Sequence, residues 1–421
     1  MKISTARVTV AAVVALSALG TAACGSSGGF SGDTSNAGGG KTTGVHLSLL
    51  IGSSGDAETN AVQAAGDAWG KQSGNKVTVT PAKDLTQQLT QALAGGSPPD
   101  MFYVDASKFA GLQRSGALAA YGDKLKNKDD FYPSLRASFT ADGKFYCAPK
   151  DFSTLALEIN TDMWAKAGLT DADIPTTWDQ LESVAKKLST KGVAGLDFND
   201  TLDRVNAFIH QAGGSLMNSD QTAFTADTPQ SLAGLDYVAK LAKEGALKFP
   251  KQIGVGWGGE AMGKNKAAMA IEGNWFVGGV QNDFPDLHYK VVPLPAGPAG
   301  QATLSFTNCW GIAAKSKHQA AAIDFVNYLT STQQQLTFAK AFGVMPSVKS
   351  AQSQFVAQFP AQQAFVDGAA DATGPVSVPG FDQVQGEFDS QLLGLSTGAS
   401  DPKTMLANLQ KNATAALDQA Q

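Results

Sequence analysis

From residue 45 onward the chain alternates short apolar, β-branched runs with longer segments in which apolar positions return every three or four residues. The first period marks strands and the second amphipathic helices, so their alternation predicts an α/β fold with a mainly parallel sheet. Residues 46–51 predict a strand, Gly52-Ser53-Ser54-Gly55 a turn, and 56–73 a helix with Ala61, Ala65, Ala68 and Trp69 on one face. A strand over 76–80, a helix over 85–94 and a strand over 101–104, entered through Gly95 to Asp100, continue the rhythm.

That rhythm breaks at 144–160, a long apolar stretch, after which Thr176-Thr177-Trp178-Asp179 caps a helix over 180–189. Helices around 207–212 and 229–244, a Gly-rich loop over 254–259 and strands over 267–271 and 289–294 follow. A second long extended run covers 303–314, then a helix covers 319–329, and Gln/Ala-rich helical sequence fills most of the remainder. Two extended runs so far apart imply that the chain crosses between two lobes more than once. The expected division is 45–150 plus 309–345 for one lobe, and 151–308 plus 346–421, with C-terminal helices, for the other. Such crossings make a hinge, and the cleft between α/β lobes lies at the carboxyl ends of the strands.

At the N-terminus, Lys2 and Arg7 precede an uncharged run over 8–19 that is too short to span a bilayer, so 1–23 reads as a signal peptide. The run ends in Thr21-Ala22-Ala23-Cys24, which resembles the lipobox of bacterial lipoproteins, with Thr21 where Leu is more usual. Cys24 is then the lipidation site and 24–44, nearly all small and polar, a flexible tether to the outer face of the cell membrane. Ordinary cleavage after Ala23 is the alternative. Cleavage removes Lys2 and Arg7 and no acid, which takes the net charge from −5 to −7. An acid excess without Lys/Arg clusters disfavours nucleic acid. His46, His210, His288 and His318 are isolated from one another, so no metal and no cofactor are expected.

The chain resembles the extracellular solute-binding proteins of carbohydrate ABC importers, the group that includes maltose-binding protein. The residues that carry this include Gly95-x-x-x-Pro99-Asp100, Phe145 to Pro149 leading into Leu155 to Asn160, and Pro175-Thr176-Thr177-Trp178-Asp179. Lys266 to Trp275, Val292-Pro293-Leu294-Pro295, Trp310-Gly311-Ile312-Ala313 and Gly343-Val344-Met345-Pro346 complete the series, and the order and spacing are more specific than any single motif. The resemblance implies a two-lobed periplasmic-binding-protein-like fold, a monomer that captures a sugar, of oligosaccharide size, and delivers it to the permease subunits of an ABC importer. A sugar needs acids, amides and Lys for its hydroxyls and aromatic rings for its C–H faces. Loops after strands offer Ser53, Ser54, Asp56, Asp105, Lys150, Asp151, Phe152, Trp257, Asn274, Trp275, Asn308 and Trp310. Asp56 and Asp105 also suit helix starts as macrodipole partner and cap.

Two patterns mimic enzymes. Gly254-x-Gly256-x-x-Gly259 lacks a preceding strand, and Gly394-x-Ser396-x-Gly398 has no His after it, so neither supports catalysis. A polyamine or iron binder, a secreted glycosidase or esterase, and a scaffold lipoprotein are the competing readings. Cys147 and Cys309 are the two cysteines left after lipidation, each in an extended run at a crossing, so a disulfide between them is expected in an oxidising compartment. Two buried thiols are the alternative.

Overall fold

The computed structural model describes residues 42–53, 55–219 and 221–420. The expected signal peptide, Cys24, most of the expected tether and Ser54 lie outside these described residues. Two sheets with separate cores form the body. In the first sheet Lys76–Pro81, His46–Ile51 and Met101–Asp105 run parallel, and Asn308–Ile312 closes the other edge antiparallel to Met101–Asp105. The second sheet is built around Ser153–Asn160, all eight residues of which are buried. It pairs antiparallel with Met269–Gly273 on one side, and with Tyr289–Val292 and Thr303–Phe306 on the other.

Local chemistry sets the first elements. The helix Asp56–Ser73 ends at Gly74, whose φ of 73° only glycine adopts without strain, and whose N–H donates to Gly70 O. Asp84 caps Leu85–Ala94 by accepting from Gln87 N at 2.8 Å. Trp69 packs on Phe325 and donates to Asp324 Oδ2 at 2.9 Å, fastening that helix to Gln319–Leu329.

Both long extended runs prove to be composite. The first splits into the short strand Lys144–Phe145 and the long Ser153–Asn160, with Pro149, which lacks an N–H, in the gap. In the second, Ser305 and Phe306 pair with Thr154 and Ser153 in one sheet, whereas Asn308 to Ile312 pair with Asp105 to Met101 in the other. Thr307 alone separates the two sheets. The crossings lie side by side: Lys150 N donates to Asn308 O at 2.7 Å, and Phe152 N to Met345 O at 3.1 Å. Thr307 Oγ1 donates to Asp151 O at 2.6 Å and Ser347 Oγ to Pro149 O at 2.7 Å. Cys147 and Cys309, both fully buried, are joined as a disulfide here with Cα atoms 5.7 Å apart.

The first core takes in Met345, Val348, Phe355 and Phe365, so the return to the second lobe comes later than the expected residue 346. The apolar faces of 346–366 match the first core, and Ala372–Thr373 is the segment that joins the second sheet beside Thr303 and Leu304. The Gly-rich stretch is also not wholly a loop, because Gly258–Gly263 forms a short helix.

Candidate binding cleft

On the first lobe, Asp105 ends its strand exposed, and its carboxylate accepts from Ser107 N at 2.8 Å and from Ser107 Oγ, a capping role that leaves it at the surface. Asn308, half-buried, is its partner across the strand pair. Ser53 Oγ donates to Gly55 O at 2.6 Å and accepts from Thr59 Oγ1 at 2.8 Å, and Asp56 stands exposed in the next helical turn.

Four expected ligand residues of this lobe and the hinge serve the interior instead. Lys150 donates to Glu58 Oε1 at 2.9 Å and to Asp151, and lies over the rings of Tyr103 and Phe342 at 4.8 and 5.1 Å. Burial by itself lowers the Lys150 pKa, but the charges of Asp151 and Glu58 outweigh it and hold the ammonium above the usual lysine value. With Lys150 and Asp151 4 % and 7 % exposed, the pair is a buried ionic network rather than a display of free groups. Phe152 packs against Tyr132 beneath the crossing strands. Trp310 is wholly buried between Tyr103 and Phe338, because its strand register pairs it with Tyr103 and turns the ring inward. Asn274, from the second lobe, is likewise engaged: its N–H donates to Ser153 Oγ at 2.8 Å and its side-chain amide to Gly343 O at 2.8 Å.

The second lobe centres on a residue the sequence reading missed. Glu272 is 1 % exposed, in the strand Met269–Gly273. Its Oε2 accepts from Arg204 Nη2 at 2.7 Å and from Trp275 Nε1 at 3.0 Å, and its Oε1 accepts from Gly258 N at 3.1 Å. The Arg204 guanidinium lies over Trp275 at 5.2 Å and Phe306 at 5.7 Å, and the two rings meet edge to face at 5.3 Å. Glycines make room for the indoles. A Cβ at Gly273 would come 2.2 Å from the Trp275 ring, and one at Gly259 2.0 Å from that of Trp257. Both tryptophans are only partly buried.

Beneath them sit acids. Burial first, then the charges of Glu272 and Asp200, raises the Asp197 carboxyl to about 8. Burial and then Glu272 likewise push Glu158 well above the usual range. The C-terminal segment bridges back to the first lobe: Lys108 Nζ donates to Asp382 Oδ2 at 2.8 Å, and Ala110 N to Ser377 Oγ at 3.2 Å. Among the described residues no group of three or more His, Cys, Asp or Glu could hold a metal ion, and no helix is long and apolar enough to cross a membrane.

Known proteins share this fold. The chain is 26 % identical over 303 residues to the diacetylchitobiose binding protein DasA of Streptomyces coelicolor, covering 69 % of this chain and 70 % of that one. Its fold is similar to that of the ABC substrate-binding protein Lmo0181 from Listeria monocytogenes, solved with cycloalternan, with a TM-score of 0.79, 21 % identity and coverage of 89 % and 99 %. UgpB from Mycobacterium tuberculosis, solved with glycerophosphocholine, gives a TM-score of 0.78 at 20 % identity, with coverage of 89 % and 98 %. The family model for bacterial extracellular solute-binding proteins matches residues 53–336. With two sheeted lobes, crossing strands between them and a match over most of its length, the chain belongs to the bacterial extracellular solute-binding protein family.

Proposed function

We propose that the chain captures a sugar of oligosaccharide size outside the cytoplasmic membrane and hands it to the permease of an ABC importer. In this reading it is a monomer, held at the membrane by a lipid on Cys24 through the 24–44 tether. The observation that carries the sugar reading is the partly exposed Trp275, locked by Glu272 and backed by Phe306 and Arg204. A fixed ring beside charged hydrogen-bonding groups suits a pyranose, which offers an apolar face and a polar rim. Asp105 and Asn308 of the first-lobe sheet, with Trp257 of the second lobe, supply further polar and aromatic surface. The names of relatives agree, since DasA is a diacetylchitobiose binding protein and the Listeria protein was solved with cycloalternan.

A ligand that binds only the folded state raises the melting temperature by mass action. A thermal-shift screen over mono- and oligosaccharides should therefore give a saturable rise for at least one sugar, confirmed by calorimetry and without turnover. No shift across the panel would overturn the sugar reading. Glycerophosphocholine belongs in the same screen, because a fold neighbour was solved with it. Mass spectrometry of the mature N-terminus tests the anchor: an unmodified residue 24 would rule it out.

A further inference from the structure

A second kind of junction joins the lobes besides the crossing strands. The helical stretch 106–114, whose Phe109 belongs to the first core, faces the C-terminal segment, whose Val378, Phe381 and Leu417 belong to the second. Contacts follow one another along it. Ala106 N donates to Thr307 O at 3.3 Å, beside the crossing strands. Farther on, Lys108 Nζ donates to Asp382 Oδ2 at 2.8 Å, Ala110 N to Ser377 Oγ at 3.2 Å, and Arg114 Nη1 to Ala420 O. Arg114 lies about 12 Å of helix beyond Ala106.

Rotation about the crossings moves an atom in proportion to its distance from them, so Lys108, Ala110 and Arg114 part from their partners when the lobes open. Their strength suits contacts that must break. The Lys108 and Asp382 side chains are 35 % and 63 % exposed, and an ion pair so exposed shifts an equilibrium by about five-fold at most. The hydrogen bond from Lys108 holds the Asp382 carboxyl below its usual range, so that it is ionised at neutral pH. The C-terminal segment also bears on the ring wall of the cleft: Pro375 and Val376 line one small pocket with Phe306, which meets Trp275 edge to face. Contacts that hold this segment on the first lobe therefore hold the two lobes together beside those rings.

We propose that the stretch 106–114 and the C-terminal segment form a salt-sensitive latch that favours the closed lobes before any ligand arrives. Ligand then completes a closure already partly populated, and the apparent affinity for whatever the cleft takes rises with that population. The latch is a property of the chain alone and does not rest on the sugar reading above.

Small-angle scattering of the purified full chain without ligand tests it. In the unaltered chain, added salt screens the Lys108–Asp382 attraction and should enlarge the radius of gyration. Lys108→Glu sets two carboxylates against each other: it should enlarge the radius at low salt, and added salt should now shrink it. The exchanged pair, Lys108→Glu with Asp382→Lys, should restore both the smaller radius and the original salt response. Arg114→Ala, which removes the outermost contact, should enlarge the radius at every salt concentration. Circular dichroism confirms that each variant folds. Equal radii and equal salt responses in the unaltered chain and Lys108→Glu overturn the latch, and so does an enlargement by Lys108→Glu that the exchanged pair fails to reverse.

Discussion

Trp275 turns its indole N–H back onto Glu272 Oε2, 3.0 Å away, so the ring is oriented by the same carboxylate that holds Arg204. Trp275→Ala should therefore cost about 2 kcal/mol of ligand binding, roughly thirty-fold in Kd. Trp275→Phe keeps an apolar ring but loses the hydrogen bond, and should lie between the two. Calorimetry of folded variants reads the effect, and unaltered affinity in Trp275→Ala would remove this ring from the ligand site.

Stability should fall as pH rises from about 4 toward 8. The Asp197 carboxyl titrates near 8 in the folded chain, and Glu158 is raised in the same direction, against a usual value of about 4 when unfolded. Between those limits the folded state holds protons that the unfolded chain has released, so raising the pH favours unfolding, by at most about 1.4 kcal/mol per pH unit for one group. Urea denaturation at pH 5 and pH 8 measures the slope. Asp197→Asn should flatten it, and an identical slope in that variant would assign the dependence elsewhere.

The Cys147–Cys309 bond closes a separation of 162 residues, for which chain entropy gives up to about 5 kcal/mol. Reduction should lower the melting temperature, and alkylation of the exported, unreduced protein should leave both cysteines unlabelled. Two labelled thiols would show that the bond does not form.

Ligand should also draw the lobes together about the paired crossings near 150, 308 and 345. Small-angle scattering should record a smaller radius of gyration at saturation. An unchanged radius, with binding verified separately, would mean that the cleft does not close.

Much of the fold is legible in the chain because its signals are local. His46–Ile51, Asp56–Ser73, Leu85–Ala94 and Gln319–Leu329 follow from apolar period and flanking turn residues alone. The 303–314 run gave no local sign that it feeds two sheets, since both halves are equally β-prone and only pairing with Ser153–Thr154 or Met101–Asp105 separates them. The site was harder to read for the same reason. Trp275 and Trp310 look alike in sequence, yet strand register buries the second against Tyr103. Lys150 reads as a free cation until the Glu58 carboxylate, 92 positions earlier, reaches it. A lone acid in the apolar strand Met269–Gly273 was the available hint of Glu272, and its meaning comes from Arg204, 68 positions away.

Thr307 is one residue long as a connector, and that fixes what kinds of change this chain can absorb. Side chains alternate faces along a strand, so one residue inserted or deleted there would invert either the Phe306 end or the whole Asn308–Ile312 strand, exchanging the two buried faces that now take Cys309 and Trp310. Length is frozen at this crossing. Ligand range has to be tuned by exchanging side chains in the loops around it, and grafting the cleft onto another scaffold would require carrying the crossing strands across as an indivisible unit.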